Sequence, residues 1–178
     1  RSAPGGWEWV LDVAHNPDSA RVLAANLREF PVPGRTLAVC GMLADKDVAS
    51  VLGQLRESFD AWIAVSTDGP RGLDDARLAA QGRPLGIAMR RGGEIGAALR
   101  AAADEARPGD RIVVFGSFHT VGPAMLALQY VAVAVAVGVG LFVISRGVIL
   151  EPPAFITNWT TAITERIAII ATKDGWSD

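Results

Sequence analysis

An acid, an imidazole and a carboxamide fall close together in Leu11-Asp12-Val13-Ala14-His15-Asn16-Pro17. Asp12 offers carboxylate oxygens, His15 a ring nitrogen of either polarity, and Asn16 both a donor and an acceptor. Apolar Trp9, Val10 and Leu11 precede them, as in a buried strand, and the helical pattern Ser19 to Leu27 follows. The three polar groups therefore sit where a strand ends and a helix begins. In open α/β sheets that edge binds ligands, and a helix N-terminus suits phosphate or carboxylate. Asn16 is also a good N-cap and Pro17 a good first helical residue. A reading in which Asp12 and Asn16 only cap the helix thus stands beside the ligand reading.

The elements that must position these residues follow from the alternation of apolar runs and helical patterns. Strands are predicted over 8–13, 36–40, 61–65, 85–89 and 111–115. Helices are predicted over 17–29, 48–57, 74–81, 94–106 and 121–128. Asp47 is placed to cap the second helix, whose Val48, Val51, Leu52 and Leu55 share a face. Strands alternating with helices predict an α/β fold, a Rossmann-like, mostly parallel sheet flanked by helices. In such a sheet every strand-to-helix loop lies on one edge. Those loops carry Asp12, His15, Asn16, Asp45, Lys46, Asp68, Arg71, Ser117 and His119. The opposite loops, Pro31 to Gly34, Arg83-Pro84 and Pro108-Gly109-Asp110, read as ordinary turns.

Other chemistries find little support. No phosphate-cradling Gly-x-x-x-x-Gly-Lys-Ser/Thr occurs, and Gly92-Gly93-Glu94-Ile95-Gly96 is only half a dinucleotide fingerprint after a weak strand. Ser117 and His119 lack the orienting acid of a nucleophilic triad, so no catalytic residue is assigned. His15 and His119, the two histidines, have no ligand-spaced partners, and Cys40 is the single cysteine, so no metal site or disulfide framework is expected. The lone thiol fits a reducing compartment. The net charge of −2 with mixed signs argues against a nucleic-acid surface. Residues 1–10 lack an apolar signal-peptide core, and the abrupt start beside a strand suggests a fragment of a longer chain.

Four motifs occur in order: Leu11-Asp12-Val13-Ala14-His15-Asn16-Pro17, Gly41-Met42-Leu43-Ala44-Asp45-Lys46-Asp47, Asp68-Gly69-Pro70-Arg71-Gly72 and Gly116-Ser117-Phe118-His119-Thr120-Val121-Gly122. Together they resemble the C-terminal domain of the bifunctional dihydrofolate synthases/folylpolyglutamate synthases, within the Mur ligase superfamily. The resemblance covers about residues 7–127 and implies an ATP-dependent amide ligase. Such a ligase activates a carboxylate of dihydropteroate or a folate as an acyl phosphate, which L-glutamate then attacks. It further implies that Asp12, His15 and Asn16 face ATP, and that His15, Ser117 and His119 face glutamate. The magnesium ligands and the phosphate loop are expected in an upstream ATPase domain, in a cytoplasmic enzyme. Asp45, Lys46, Asp68 and Arg71 match family motifs too, and are assigned to loop structure before ligand contact.

The resemblance stops near residue 127, so the chain divides into a Mur ligase-like domain over 1–127 and an atypical hydrophobic tail over 128–178. Leu126 to Ile144 carries no charge and is long enough to be a transmembrane segment. Its alternating valines are also a strand pattern, and Arg146 gives the wrong flank for a cytosolic domain. Beyond it Phe155, Trp159, Ile163, Ile167 and Ile170 form an apolar helical stripe, and Asn158-Trp159-Thr160 matches a glycosylation acceptor by chance. Two alternatives remain: a cell-wall Mur ligase C-terminal domain, and a non-catalytic, membrane-tethered binding module.

Overall fold

The computed structural model describes residues 6–128. The chain runs β1 (Glu8–Asp12), α1 (Pro17–Glu29), β2 (Thr36–Cys40), α2 (Val48–Leu55), β3 (Ala61–Ala64), α3 (Asp75–Gly82), β4 (Met89–Arg91), α4 (Ile95–Glu105) and β5 (Arg111–Phe115). A last helix, α5, covers 118–128 of the described residues. The five strands form one sheet in the order β1-β5-β2-β3-β4, and every pairing is parallel. The α/β class read from the sequence is therefore the observed one. The chain steps from β1 through β4 in one direction and then returns to insert β5 between β1 and β2.

Burial explains the order. Every residue of β5 is buried, which matches a strand covered on both faces. Edge strands β1 and β4 instead expose Glu8, Arg90 and Arg91. On one face Ala38, Cys40, Trp62, Ala64, Val113 and Phe115 meet Leu23 of α1, Leu52 and Leu55 of α2 and Leu78 of α3. Phe59 stacks on Phe115 at 5.5 Å between ring centroids and meets Trp62 edge-on at 4.9 Å. Alternate residues Leu37, Val39, Ile63, Ile112 and Val114 are buried too. They point to the other face, where α4 packs on β2 and β3. Its buried side is Ala98, Leu99 and Ala102, with Ile95 only half-buried.

Several boundaries differ from expectation, each for a local reason. The fourth strand is Met89–Arg91 rather than 85–89, because Arg83–Leu85 forms a turn of 3-10 helix. Gly86 ends that turn at φ +74°, a conformation that suits glycine. The second helix ends at Leu55 and continues as a 3-10 turn, Arg56–Ser58. The last helix starts at 118, not 121, because Ser117 C=O already accepts the N–H groups of Thr120 and Val121. His119 and Thr120 thus belong to its first turn rather than to a loop. Gly92-Gly93 is no dinucleotide loop. Gly93 donates its N–H to the Asp75 carboxylate, and a Cβ on Gly92 would press on Ile63 at 2.6 Å. The stretch 126–144 and the whole tail beyond 128 lie outside the described residues. Among the described residues no helix is long and apolar enough to cross a membrane.

Candidate functional site

The carboxyl ends of β1 and β5 are adjacent, with Asp12 level with Phe115. That pairing brings the Asp12-to-Asn16 segment beside the Gly116-to-Thr120 segment, although about a hundred residues separate them in sequence. All five residues expected to bind ligand therefore leave neighbouring strands on one edge.

Asp12 does not cap α1. One of its carboxylate oxygens accepts the Ala14 N–H at 2.7 Å, closing a tight turn two residues long. Its carboxyl pKa is raised, because burial opposes the charge more than the Ala14 hydrogen bond supports it. Asn16 is the cap. Its Oδ1 accepts the Ser19 N–H at 2.9 Å, and Ser19 Oγ accepts the Asn16 N–H in return. Both donors are satisfied reciprocally, as in a capping box. The Asn16 oxygen is thereby committed to α1, and what remains for a ligand is its amide N–H₂ group.

His15 is held from two sides. Its N–H reaches Ser19 Oγ at 3.2 Å, and its Nδ1 lies 2.8 Å from the Val13 carbonyl oxygen. A carbonyl only accepts, so Nδ1 carries the proton and Nε2 is the free ring nitrogen. Neutral His15 thus presents a lone pair, and protonated His15 a second donor.

Ser117 and His119 differ sharply. His119 is exposed, while Ser117 is buried. Ser117 Oγ lies 3.1 Å from Thr120 Oγ1, which donates to the Gly41 carbonyl at 2.9 Å. Thr120 has one hydroxyl proton and Gly41 takes it, so Ser117 must be the donor to Thr120. With that proton committed to Thr120, Ser117 Oγ presents its lone pairs, which suit an N–H donor such as an amino group. Gly41 and Gly116 make the close approach of these segments possible. A Cβ on Gly116, at φ +124°, would sit 2.1 Å from the Gly41 carbonyl oxygen, and one on Gly41 would sit 2.6 Å from Thr120 Oγ1.

The middle loops have another purpose. Leu43 and Gly72 form an antiparallel bridge, Ala44 N–H donates to the Arg71 carbonyl at 2.8 Å, and Leu73 N–H to the Met42 carbonyl at 3.2 Å. Gly72 is required, since a Cβ there would fall 1.7 Å from the Thr67 carbonyl oxygen. Arg71 and Lys46 both face Asp45, at 3.5 and 4.0 Å, and all three are partly or well exposed. These contacts tie two loops to each other, as loop structure requires. Asp74 caps α3, and Asp75 is the residue the sequence reading passes over. Buried Asp75 accepts from Arg91 at 3.0 and 3.2 Å, which holds its carboxyl below the ordinary range. Two aspartates before a helix and two arginines after it are the signal that could have shown this pair.

Among the described residues no three His, Cys, Asp or Glu side chains converge as a metal site would need. A cavity of about 400 Å³, lined by Asp60, Trp62, Met89, Arg90 and Glu105, opens at the amino ends of β3 and β4. It lies on the edge opposite to the segments described above and shares no residue with them.

Comparison with known proteins adds an independent line. Residues 1–118 match the family model described as Mur ligase, glutamate ligase domain. The dihydrofolate synthase/folylpolyglutamate synthase of Escherichia coli K12 is 39% identical over 119 residues, 65% of this chain and 26% of that protein. The bifunctional folylpolyglutamate synthase/dihydrofolate synthase of Yersinia pestis c092, crystallised with AMPPNP and Mn ion, superimposes with a TM-score of 0.63. Identity there is 38%, covering 72% of this chain and 32% of that one. The UDP-N-acetylmuramoyl-L-alanyl-D-glutamate–2,6-diaminopimelate ligase of Synechocystis is 30% identical over 115 residues, 62% of this chain and 23% of that protein. The chain spans about a quarter of the length of the folate-enzyme relatives it matches.

Proposed function

The chain belongs to the Mur ligase family, through its glutamate ligase domain, and from that premise we propose that it is the C-terminal domain of an ATP-dependent ligase adding L-glutamate to dihydropteroate and folates. The observation that carries the reading is the adjacency of β1 and β5. It brings the loop carrying Asp12 and His15 next to the loop carrying Ser117, an arrangement that suits a cleft wall for a nucleotide and an amino acid. The folate branch is favoured over the cell-wall branch by the higher identity to the folate enzymes.

In this reading Asp12 accepts hydrogen bonds from the ribose hydroxyls, for which a half-buried carboxylate with an uncommitted oxygen is suited. His15, fixed through Nδ1, turns Nε2 toward the phosphates and the incoming glutamate. The Asn16 amide donates at the start of α1, and Ser117 with His119 holds the glutamate. The γ-phosphoryl group passes from ATP to the pterin-side carboxylate, giving ADP and an acyl phosphate. The glutamate nitrogen attacks the acyl carbon, phosphate leaves, and the amine gives up its proton. Magnesium neutralises charge in such transfers. Among the described residues no cluster suits it, and an upstream ATPase domain would hold it. The enzyme would be cytoplasmic. Membrane association through 126–144 stays a separate proposal, answered by whether the full chain survives carbonate washing in the membrane fraction.

The test measures phosphate release with ATP, magnesium, L-glutamate and dihydropteroate or folate. The chain joined to the preceding part of the Escherichia coli relative should turn over only with glutamate present, and the chain alone should not. Absence of glutamate-dependent release from the joined protein would overturn the reading. Turnover by the chain alone would overturn the division of labour, because phosphate positioning and metal clamping carry most of this chemistry.

A further inference from the structure

The geometry points to Thr120 as a positioning residue for the incoming amino acid, acting through Ser117. The inference rests on the ligase reading above. Ser117 is buried, so the setting of its hydroxyl, not the reach of its side chain, decides what it offers a ligand. That setting is made by a chain of two hydrogen bonds. Ser117 donates to Thr120 Oγ1 at 3.1 Å, and Thr120 donates to the Gly41 carbonyl at 2.9 Å. Thr120 is itself buried, and Val65 and Thr120 crowd the space where a Gly41 side chain would be. The Ser117 oxygen is thus fixed against β2 as well as β5, by an anchor outside its own segment. Gly116, at φ +124°, lets the turn lie this close to the Gly41 carbonyl, where a Cβ would not fit. Without Thr120 the Ser117 hydroxyl becomes a rotor with no internal partner, and a ligand must supply the order itself.

Thr120→Val keeps the shape and removes both hydrogen bonds. Measured in the joined ligase, it should raise the glutamate KM about tenfold, the worth of one hydrogen bond. The kcat and the ATP KM should stay within about twofold, as for loss of uniform substrate binding. Thr120→Ser, which restores the hydroxyl, should return the glutamate KM to within about twofold of wild type. In the Ser117→Ala background Thr120→Val should add almost nothing, because the two residues act as one unit. If Thr120→Val does not fold, Thr120→Cys keeps a weak donor of similar size and should give a smaller rise in the same constant. An active wild type with a glutamate KM indifferent to Thr120→Val overturns this inference alone. So do equal rises in the ATP and glutamate constants, failure of Thr120→Ser to rescue, or additivity with Ser117→Ala. A joined wild type without glutamate-dependent turnover overturns the ligase reading, and the inference with it.

Discussion

Two aspartates at opposite edges of the sheet meet burial in opposite ways, one as a latch and one with its charge largely unmet. Asp12 ends β1 on the carboxyl edge, and Asp110 precedes β5 on the amino edge. Both are substantially shielded from water. Asp12 receives one hydrogen bond, from Ala14 N–H, and burial dominates, so its carboxyl pKa rises. Burial pushes Asp110 upward too, but it accepts from Arg35 N–H at 2.7 Å, Arg107 N–H at 3.0 Å and the Arg35 guanidinium at 3.0 Å. Those bonds outweigh burial and hold its carboxyl below the ordinary range. Around Asp110 the amino edge is closed in the same way. Arg35 also reaches Glu105, and Arg111 pairs with Glu8 and donates to the Phe30 carbonyl. The carboxyl edge keeps groups uncommitted: Nε2 of His15, the Asn16 amide and exposed His119. Around Asp110 the charged groups are paired with one another, whereas on the carboxyl edge several hydrogen-bonding groups are left free to meet a ligand.

Removing the latch should have the largest effect. Asp110→Ala leaves two partly buried N–H groups and a guanidinium without their acceptor, and should cost about 2 kcal/mol of stability. A urea titration of the 1–127 segment gives the number. A loss below about 0.5 kcal/mol, the range of an ordinary surface change, would break the contrast.

Asp12→Asn should behave oppositely. Asparagine keeps an acceptor for Ala14 N–H but has no charge to desolvate, so stability should hold or rise by up to about 1 kcal/mol. In the joined ligase the same variant should weaken ATP binding about tenfold, because an ionised acceptor is roughly twice as strong as a neutral one. Lost stability with unchanged ATP affinity would make Asp12 a structural residue.

The two carboxylates should also separate by pH. Asp110, with its folded pKa lowered, contributes stability above its unfolded pKa of about 3.9 that is lost as pH falls through the folded value. Asp12, with its folded pKa raised, contributes stability only below about 3.9, lost as pH rises through the folded value. Asp110→Asn should therefore flatten the acid side of the stability profile, and Asp12→Asn should remove a small decline on going from acid toward neutral pH. Parallel profiles for the two variants would contradict the opposite directions.

The smallest effect belongs to the middle loops. Asp45→Ala removes an exposed carboxylate shared by Arg71 and Lys46, and should cost less than about 0.5 kcal/mol. Glutamate and ATP constants should not move. A tenfold change in either would transfer these residues from loop structure to the site.

Most of the element pattern was legible because its causes lie within a few residues. Pro17 and Asn16 start α1 where expected, and Asp47 accepts the Ser50 N–H at the head of α2. The apolar run Arg111–Phe115 is a strand because nothing polar interrupts it after Arg111. Where local signals compete, the reading slips. Pro84 and Gly86 turn the chain where Leu85 to Met89 looks extended. Phe118 to Thr120 reads as a loop after Gly116, although the Ser117 carbonyl has already begun a helix. Asp12 looked equally suited to cap α1 or to bind ligand, and the structure removes the first role by giving it to Asn16.

The sequence by itself determined the strands, the helices, their caps and the edge on which the polar loops must lie. Each depends on side-chain periodicity or on hydrogen bonds spanning two to four residues. The tertiary structure alone decided that β5 inserts between β1 and β2. From that follow the neighbourhood of Asp12 and Ser117, the anchor from Thr120 to the Gly41 carbonyl 79 residues away, and the latch from Asp110 to Arg35 across 75 residues. Such partners carry no local mark. They meet because the most apolar strand is most stable where both of its faces are covered, and the buried polar groups brought together there must then be paired.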